Sequence, residues 1–233
     1  TLRSSNPAIQ IHGPGWSKFV IGEDCIDQWP DFIDVIAGAI SDNGGRSCIN
    51  ASAVVVPRHA DLIADALAKK LGPIQPTRPE DEAARLSGFA NPKMADFIDA
   101  QIEEGLKTPG AEDVTARYRG GSRKAVFEGG TYMRPTIVRC DDFSHPLANR
   151  EFLCPYASVV TCPQSEVLSK IGYTLACSVI TKDPAFIQQV EAFPEIDRLN
   201  IGPVSTMKIS WDQPHEGNMF EFLWKRRSIE RGW

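Results

Sequence analysis

The stretch Asn43-Gly44-Gly45-Arg46-Ser47-Cys48-Ile49-Asn50-Ala51-Ser52 is followed at once by Ala53-Val54-Val55-Val56-Pro57. The second stretch is a short apolar run and predicts a buried strand. The glycine pair allows a sharp turn and a close approach of the backbone to a ligand. A cysteine just beyond such a turn can lie near a helix N-terminus, which favours the nucleophilic thiolate. The segment therefore suits covalent attack on a carbonyl by Cys48, although most cysteines are packed core residues.

Strand and helix patterns alternate on both sides of this segment. Strands are predicted at residues 8–12, 18–21, 52–56, 157–162, 175–180 and 197–201. Helices are predicted at residues 31–40, 58–71, 92–104, 164–171 and 184–192, the last with Asp183 as its N-cap. Alternation of this kind indicates a parallel α/β sheet.

Other parts of the chain give weaker or interrupted patterns. Residues 108–113 are predicted as a surface loop, and strands 114–118 and 124–127 are expected to pair around Gly120-Gly121. The helical periodicity is expected to turn Leu62, Met94 and Phe97 toward the core. After residue 202 the alternation ends, with a strand predicted at 205–211 and an aromatic-rich helix at 218–229.

Composition excludes several classes of function. The 233 residues carry a formal net charge of −5, which argues against a nucleic-acid-binding surface. No apolar run approaches the roughly 20 residues that a membrane-spanning helix needs, and the first residues lack the apolar stretch of a signal peptide. Six cysteines and four histidines show no metal-ligand spacing, so no metal site is predicted. Reduced thiols in a cytoplasmic protein are expected.

Four segments, in the correct order, resemble the aldehyde dehydrogenase superfamily. The Gly-x-x-Cys segment around Cys48 resembles the family's nucleophile, and Ile9-Gln10-Ile11-His12-Gly13-Pro14-Gly15 resembles the strand and turn that carry its catalytic glutamate. His145-Pro146-Leu147-Ala148-Asn149-Arg150-Glu151-Phe152-Leu153-Cys154-Pro155-Tyr156 resembles its second signature. Arg198-Leu199-Asn200-Ile201-Gly202 resembles the strand that follows its last catalytic-domain helix.

This resemblance implies an α/β three-layer sandwich with a mostly parallel sheet. It implies a catalytic domain at residues 1–202 and a C-terminal segment at 203–233 that packs against another subunit of a homo-oligomer. The dinucleotide-binding domain that precedes this region in the family is not recognisable here, since no Gly-x-Gly-x-x-Gly turn occurs ahead of Gln10. We therefore expect the chain to correspond to the second half of a larger protein and to be inactive alone.

The resemblance also assigns chemistry to individual residues. Cys48 would attack an aldehyde, and hydride transfer to NAD or NADP would leave a thioester. Glu151 resembles the glutamate that binds a cofactor ribose, although a solvated strand-edge charge is the commoner role of glutamate. Leu153 occupies the position of an aromatic residue that packs against the nicotinamide. The remaining cysteines are expected in the core, and His145, in a His-Pro turn, is the less favoured alternative as a base for Cys48.

Two residues depart from the family pattern. Gln10 occupies the position of the general-base glutamate, and an amide cannot accept the proton of an attacking water. The thioester would then pass to an acceptor such as coenzyme A, another carboxylate would act as base, or the domain would be catalytically weak. Arg46 adds a positive charge two residues from Cys48, which is expected to lower the pKa of the thiol.

The sequence thus predicts NAD(P)-dependent oxidation of a small-molecule aldehyde through Cys48. One alternative is a coenzyme A-acylating or otherwise non-hydrolytic relative, as Gln10 indicates. The other is a non-catalytic α/β module that serves in oligomerisation or binding. Neither the aldehyde nor the choice between NAD and NADP can be predicted, because part of the substrate tunnel would come from the preceding domain.

Overall fold

The computed structural model describes residues 13–209 and residue 230. The strands in this part are β1 (Lys18–Ile21), β2 (Ala53–Val56), β3 (Ala111–Asp113), β4 (Lys124–Phe127), β5 (Gly130–Met133), β6 (Thr136–Cys140), β7 (Tyr156–Thr161), β8 (Thr174–Ile180) and β9 (Ile196–Ile201). The α-helices are α1 (Ile33–Ser41), α2 (Ala60–Leu71), α3 (Pro92–Leu106), α4 (Ala116–Arg119), α5 (Val167–Ile171) and α6 (Pro184–Glu191). The predicted strand at 8–12 and helix at 218–229 lie outside the described residues.

Seven of these strands form one sheet in the order β3-β6-β7-β2-β1-β8-β9. Every pairing is parallel except that of β3 with β6. The central strand β2 is fully buried along its length, as expected for a parallel strand covered on both faces. The predicted α/β fold with a mostly parallel sheet is confirmed.

Helices cover the sheet on both sides and make three layers. On one face, α1 and α2 pack against Phe19, Val54 and Val159. On the other face, α5 and α6 pack against Val20, Val55 and Val179, while α3 packs against β6 and β7. This arrangement confirms the predicted three-layer sandwich.

Two helices begin with the capping chemistry that their sequences indicate. The Asp183 carboxylate accepts a hydrogen bond from Ala185 N–H at 2.9 Å, and Pro184 occupies the first helical turn. The Asn91 side chain does the same for Lys93 N–H ahead of Pro92. In both cases the cap satisfies a backbone donor that the helix itself leaves unpaired.

The predicted strand pair around Gly120-Gly121 is wrong. Residues 116–119 form the short helix α4, and β4 pairs with β5 across Glu128 and Gly129. Both turn residues have positive φ, 47° and 79°, as in the two-residue hairpin turns whose twist matches the flanking strands. The predicted loop at 108–113 contains the edge strand β3, and residues 205–208 form a turn rather than the start of a strand.

Three apolar side chains that were expected in the core point outward. Leu62, Met94 and Phe97 are about half exposed. The buried face of α3 is formed by Ala95, Ile98 and Ile102, one position away from Met94 and Phe97, so the helical stripe excludes those two. No helix in the described part of the chain is long and apolar enough to cross a bilayer.

Candidate active site

The loop that carries Cys48 depends on three consecutive left-handed residues. Asn43, Gly44 and Gly45 have φ angles of 54°, 63° and 66°. A Cβ atom on Gly45 would overlap the backbone between Cys154 and Pro155. Glycine is therefore required both for the backbone conformation and for the contact. The predicted sharp turn is confirmed, and the backbone that it approaches belongs to the Glu151–Pro155 segment.

Asn50 fixes the position of Cys48 within this loop. Its Oδ1 accepts a hydrogen bond from Ser47 N–H at 2.8 Å, and its Nδ2 donates to the carbonyls of Ala39 and Asp42. Asn50 N–H also donates to Ser47 O at 3.0 Å, which closes a turn over residues 47–50. Cys48 lies in that turn and not at the start of a described helix, so the expectation of a helix N-terminus at Cys48 is wrong.

A second turn holds the Cys48 backbone from the other side. The Ser17 hydroxyl donates to Cys48 O at 2.9 Å and accepts a hydrogen bond from Ala176 N–H at 3.2 Å. A Cβ atom on Gly15 would overlap Cys48 O. The turn that precedes β1 therefore packs tightly against the cysteine loop, and Ser17 ties that loop to β8.

Glu151 binds the same turn. Its Oε2 accepts a hydrogen bond from Trp16 N–H, and Gly15 N–H also donates to the carboxylate. Burial raises the pKa of Glu151, while these two donors and the nearby Lys18 partly offset the increase. Glu151 is thus a partly buried carboxylate that contacts the Gly15–Ser17 turn, and not a solvated charge at a strand edge.

Lys18 is a buried cation directly behind this turn. Its ammonium donates to Trp16 O at 2.5 Å and to Thr174 Oγ1 at 3.1 Å. Burial lowers the pKa of Lys18 from 10.5 to about 8, and the proximity of Cys177 and Glu151 limits the decrease. Neither Ser17 nor Lys18 was predicted from the sequence as a site residue. The only signal was the polar pair Ser17-Lys18 at the start of an otherwise apolar strand.

Of the six cysteines, all within the described residues, Cys48 alone is partly exposed. The other five are buried, as expected. Burial raises the pKa of Cys140, Cys154 and Cys177 to about 12 each, so these thiols remain protonated at neutral pH. Cys48 is the thiol that a reagent or substrate can reach.

His145 lies with a different cysteine. Its Nδ1 is 3.8 Å from Cys140 Sγ and accepts a hydrogen bond from Leu147 N–H, while Nε2 contacts Thr108 O at 3.1 Å. These contacts occupy both ring nitrogens within the predicted turn. The alternative of His145 as a base for Cys48 is therefore not supported.

Arg46 contacts the segment around residue 88. Its guanidinium lies 3.9 Å from the centre of the Phe89 ring and donates to Ser87 O and Gly88 O at 3.0 Å. Burial lowers the pKa of Arg46. These contacts anchor the segment beside the cysteine loop, and the expected effect of Arg46 on the Cys48 thiol stays a prediction.

Two predicted site residues, Leu153 and Gln10, remain to be located in the structure. Leu153 is 50% exposed and follows Glu151 on the same segment, so its side chain is accessible to a ligand. Gln10 lies outside the described residues. The described part of the chain holds no group of three His, Cys, Asp or Glu side chains arranged as metal ligands.

These segments meet at the amino ends of three neighbouring interior strands, β1, β2 and β7. Gly15–Ser17 precede β1, Cys48 precedes β2, and Glu151–Pro155 precede β7. Because these strands are parallel, the segments lie together at their amino ends. Many α/β proteins bind ligands at the carboxyl ends instead. The fold thus places Cys48 and Glu151 at one site, joined through the Gly15–Ser17 turn.

Comparison with known proteins gives a consistent assignment. The sequence model of the aldehyde dehydrogenase family matches residues 4–218. The betaine aldehyde dehydrogenase of Sinorhizobium fredii is 29% identical over an alignment 203 positions long, which covers 82% of this chain and 40% of that protein. The chain spans about 40% of the length of the curated relatives that it matches.

Solved structures show the same fold. A γ-glutamyl-γ-aminobutyraldehyde dehydrogenase from Burkholderia cenocepacia matches with a TM-score of 0.71 and 22% identity, over 88% of this chain and 42% of that one. A mutant indole-3-acetaldehyde dehydrogenase of P. syringae, solved with NAD+ and IAA, matches with a TM-score of 0.70 and 21% identity, over the same shares of 88% and 42%. With the family match covering most of its length, the chain belongs to the aldehyde dehydrogenase family.

Proposed function

We propose that this chain is the catalytic domain of an NAD(P)-dependent aldehyde dehydrogenase in which Cys48 is the nucleophile. The observation that carries the proposal is the position of Cys48. It is the accessible thiol of the six, and Asn50 and Ser17 fix its loop through hydrogen bonds. A nucleophile held in one orientation needs less reorganisation to reach the transition state.

Cys48 begins the reaction. Its thiolate adds to the carbonyl carbon of a small-molecule aldehyde, and the carbonyl oxygen becomes an oxyanion. The oxyanion requires donors at about 2.7–3.1 Å, and the backbone N–H of Cys48 is the candidate donor within this chain. The resulting thiohemiacetal then loses hydride and becomes a thioester on Cys48.

Glu151 and Leu153 are the residues of this chain that would contact NAD or NADP. The partly buried carboxylate suits ribose hydroxyls, and the exposed leucine beside it offers an apolar surface to a ring. When bound, the cofactor supplies the hydride acceptor. The hydrogen bonds from Gly15 and Trp16 orient the carboxylate and keep it next to the Cys48 turn.

Gln10 determines how the thioester is resolved. Because an amide cannot act as the general base, we retain transfer to coenzyme A, or to another non-water acceptor, as the alternative outcome. Replacing Gln10 with glutamate should increase acid production from the aldehyde if the first step is intact. An unchanged rate would exclude the missing base as the limiting feature.

The division of the chain is part of the same proposal. Residues 1–202 form the catalytic domain, and residues 203–233 form a C-terminal segment that contacts another subunit of a homo-oligomer. The aromatic residues Phe220, Phe222 and Trp224 support this role, since they are too apolar for a solvated tail. A cytoplasmic location agrees with the six cysteines, all of which are free thiols.

The proposal is tested by replacing Cys48 with alanine in the longer protein that it implies. NAD(P)H formation from a panel of aldehydes should fall to background, while the folded fraction measured by circular dichroism stays the same. A non-catalytic module would show no aldehyde-dependent NAD(P)H formation even with Cys48 present. Turnover that survives the substitution would assign the nucleophile elsewhere.

A matched pair of glycine variants tests the geometry of the site. An alanine at Gly15 would place its Cβ against Cys48 O, whereas an alanine at Gly13 meets no atom of a described residue within 4 Å. Gly15→Ala should therefore reduce turnover and the rate of Cys48 alkylation, while Gly13→Ala should change neither. If the two substitutions have equal effects, the contact between Gly15 and Cys48 O does not influence the reactivity of Cys48.

A further inference from the structure

Arg198 is a buried cation whose guanidinium is incompletely paired. It is 9% exposed, and its Nη1 atom is fully buried without a hydrogen-bond partner among the described residues. Burial lowers the pKa of Arg198. A charge removed from water is costly unless an opposite charge and hydrogen bonds compensate it. The position of Arg198 therefore calls for an anionic partner.

The sheet places Arg198 beside the Cys48 loop. Arg198 in β9 is aligned with Ala176 in the parallel strand β8, so the two side chains lie on the same face. Ala176 packs with Ile49 and Leu175 in a small apolar cluster that Cys48 also contacts. Ala176 N–H donates to the Ser17 hydroxyl, which in turn donates to Cys48 O. Arg198 is thus one strand away from the cluster beneath the nucleophile.

The chain after β9 folds back over this face. Asn200 donates to Ser178 Oγ, and Ser178 Oγ donates to Val204 O at 2.6 Å. Three residues later, Met207 packs against the cluster of Ile49, Leu175 and Ala176. Residues 203–208 therefore lie over the face that carries Ser178 and Asn200, which Arg198 shares, and they reach the Cys48 cluster through Met207.

This turn adds a second unpaired polar group. Thr206 is fully buried, and its hydroxyl makes no hydrogen bond to a described residue. Buried hydroxyl groups in folded proteins nearly always have a partner. Arg198 Nη1 and the Thr206 hydroxyl, each without a partner among the described residues, belong to two segments that meet beside the Cys48 loop, and both atoms can donate to an anionic oxygen group.

We infer that Arg198 and Thr206 bind the anionic end of the substrate, and that the substrate is a short aldehyde with a carboxylate or phosphate group at the end opposite the carbonyl. This inference rests on the proposed function of Cys48. The planar guanidinium can donate two parallel hydrogen bonds to a carboxylate or a phosphate. Binding of that group would hold the carbonyl carbon near the Cys48 sulfur.

The first covalent step allows a test without cofactor. The Cys48 thiolate adds to the aldehyde carbon, a C–S bond forms, and the C=O π electrons move to oxygen, which takes a proton from solvent. Neither an oxidant nor a reductant is needed. The thiohemiacetal protects Cys48 from alkylation, so each aldehyde's affinity is read from the rate of alkylation by iodoacetamide, with the site assigned by mass spectrometry.

The experiment compares charged and neutral aldehydes of matched length on the longer protein that the proposed function implies, without added cofactor. One arm uses succinic semialdehyde against butanal, and the other uses glycolaldehyde phosphate against glycolaldehyde. The charged member of at least one arm should protect Cys48 at a concentration about tenfold lower than its neutral counterpart. The arm with the larger ratio identifies carboxylate or phosphate as the recognised group.

Variants assign the preference to Arg198. Arg198→Met should remove the preference for the charged aldehyde and leave protection by the neutral one unchanged. Thr206→Val should reduce the preference in part, and it remains informative if Arg198→Met does not fold. Arg58→Met changes the net charge equally at an ion pair on the exposed surface, and it should leave the preference intact.

The outcomes separate this inference from the proposed function. Equal protection by charged and neutral aldehydes would overturn the anion site while supporting Cys48 as the nucleophile. A preference that persists in Arg198→Met would also overturn it. If no aldehyde protects Cys48 while iodoacetamide still reacts there, both the nucleophile and the anion site are contradicted.

Discussion

The two outermost strands of the sheet, β3 and β9, each carry a buried charged side chain. The two side chains differ in the partners that surround them. In β3, Asp113 accepts hydrogen bonds from Arg119 at 2.6 Å and Arg123 at 2.9 Å, with all three side chains buried. In β9, Arg198 is equally buried, but its Nη1 has no described partner. In β3 the opposite charges neutralise one another through Asp113 Oδ2, while Asp113 Oδ1 makes no hydrogen bond to a described residue. In β9, Nη1 of Arg198 has no partner among the described residues, and we propose that a ligand supplies one.

Removing the buried carboxylate of β3 should change stability more than removing the buried guanidinium of β9. Asp113→Asn removes the carboxylate shared by Arg119 and Arg123 and leaves buried guanidinium groups without it. The free energy of unfolding, measured with urea, should fall by about 3–5 kcal/mol. The matched control Asp27→Asn removes a carboxylate that is 72% exposed in its pair with Arg58, and it should have little effect. A small change for Asp113→Asn would mean that the two edges do not differ.

Lys18 lies in β1, between the two outermost strands. The pH dependence of the free energy of unfolding measures how much the burial of this cation costs. Its pKa is lowered from 10.5 to about 8 in the folded protein, so the unfolded chain binds more protons between these values. Stability should therefore rise with pH across this window, by roughly 3 kcal/mol from this group alone. The contribution is read as the difference between the native chain and Lys18→Met, because cysteines and tyrosines titrate in the same range. A difference that is constant from pH 8 to 10.5 would contradict the burial of a charged Lys18.

Removing the buried charge of β9 should change the free energy of unfolding in the opposite direction. Arg198→Met removes a buried charge that lacks full compensation among the described residues, and it should raise the free energy of unfolding by about 1–3 kcal/mol. The same urea titration measures this change, and Arg58→Met provides the exposed control. If Arg198→Met destabilises the chain as strongly as Asp113→Asn, Arg198 is a structural residue and the contrast between the edges fails.

The fold could be predicted from sequence because the parallel strands are continuous apolar runs separated by amphipathic helices. The predictions for β1, β2, β7, β8 and β9 therefore agree closely with the structure. The hairpin β4–β5 was missed, since its turn uses Glu128 with positive φ, which is uncommon for this residue type. The outward positions of Met94 and Phe97 were missed because their spacing also fits the helical period.

Only the site residues that belong to a recognisable sequence motif could be predicted. Cys48 and Glu151 were identified by resemblance, and their connection was not, because Glu151 binds Trp16 across 135 positions in the chain. Ser17 and Lys18 have no local signal beyond the polar pair at the start of β1, and Arg198 has none beyond its place in a family-like segment. Their importance comes from long-range packing, which places a hydroxyl on Cys48 O, a cation behind Trp16 and an unpaired guanidinium beside the cysteine cluster.

We propose that this domain holds Cys48 as its accessible, reactive thiol. The most direct test is the rate of iodoacetamide alkylation at each of the six cysteines as a function of pH, with sites assigned by mass spectrometry. We predict that Cys48 reacts fastest, with a half-maximal rate well below the pH of about 8.5 expected for an ordinary thiol. The buried Cys140, Cys154 and Cys177, with pKa values of about 12, should be nearly inert. A Cys48 that reacts as slowly as these three would contradict the account.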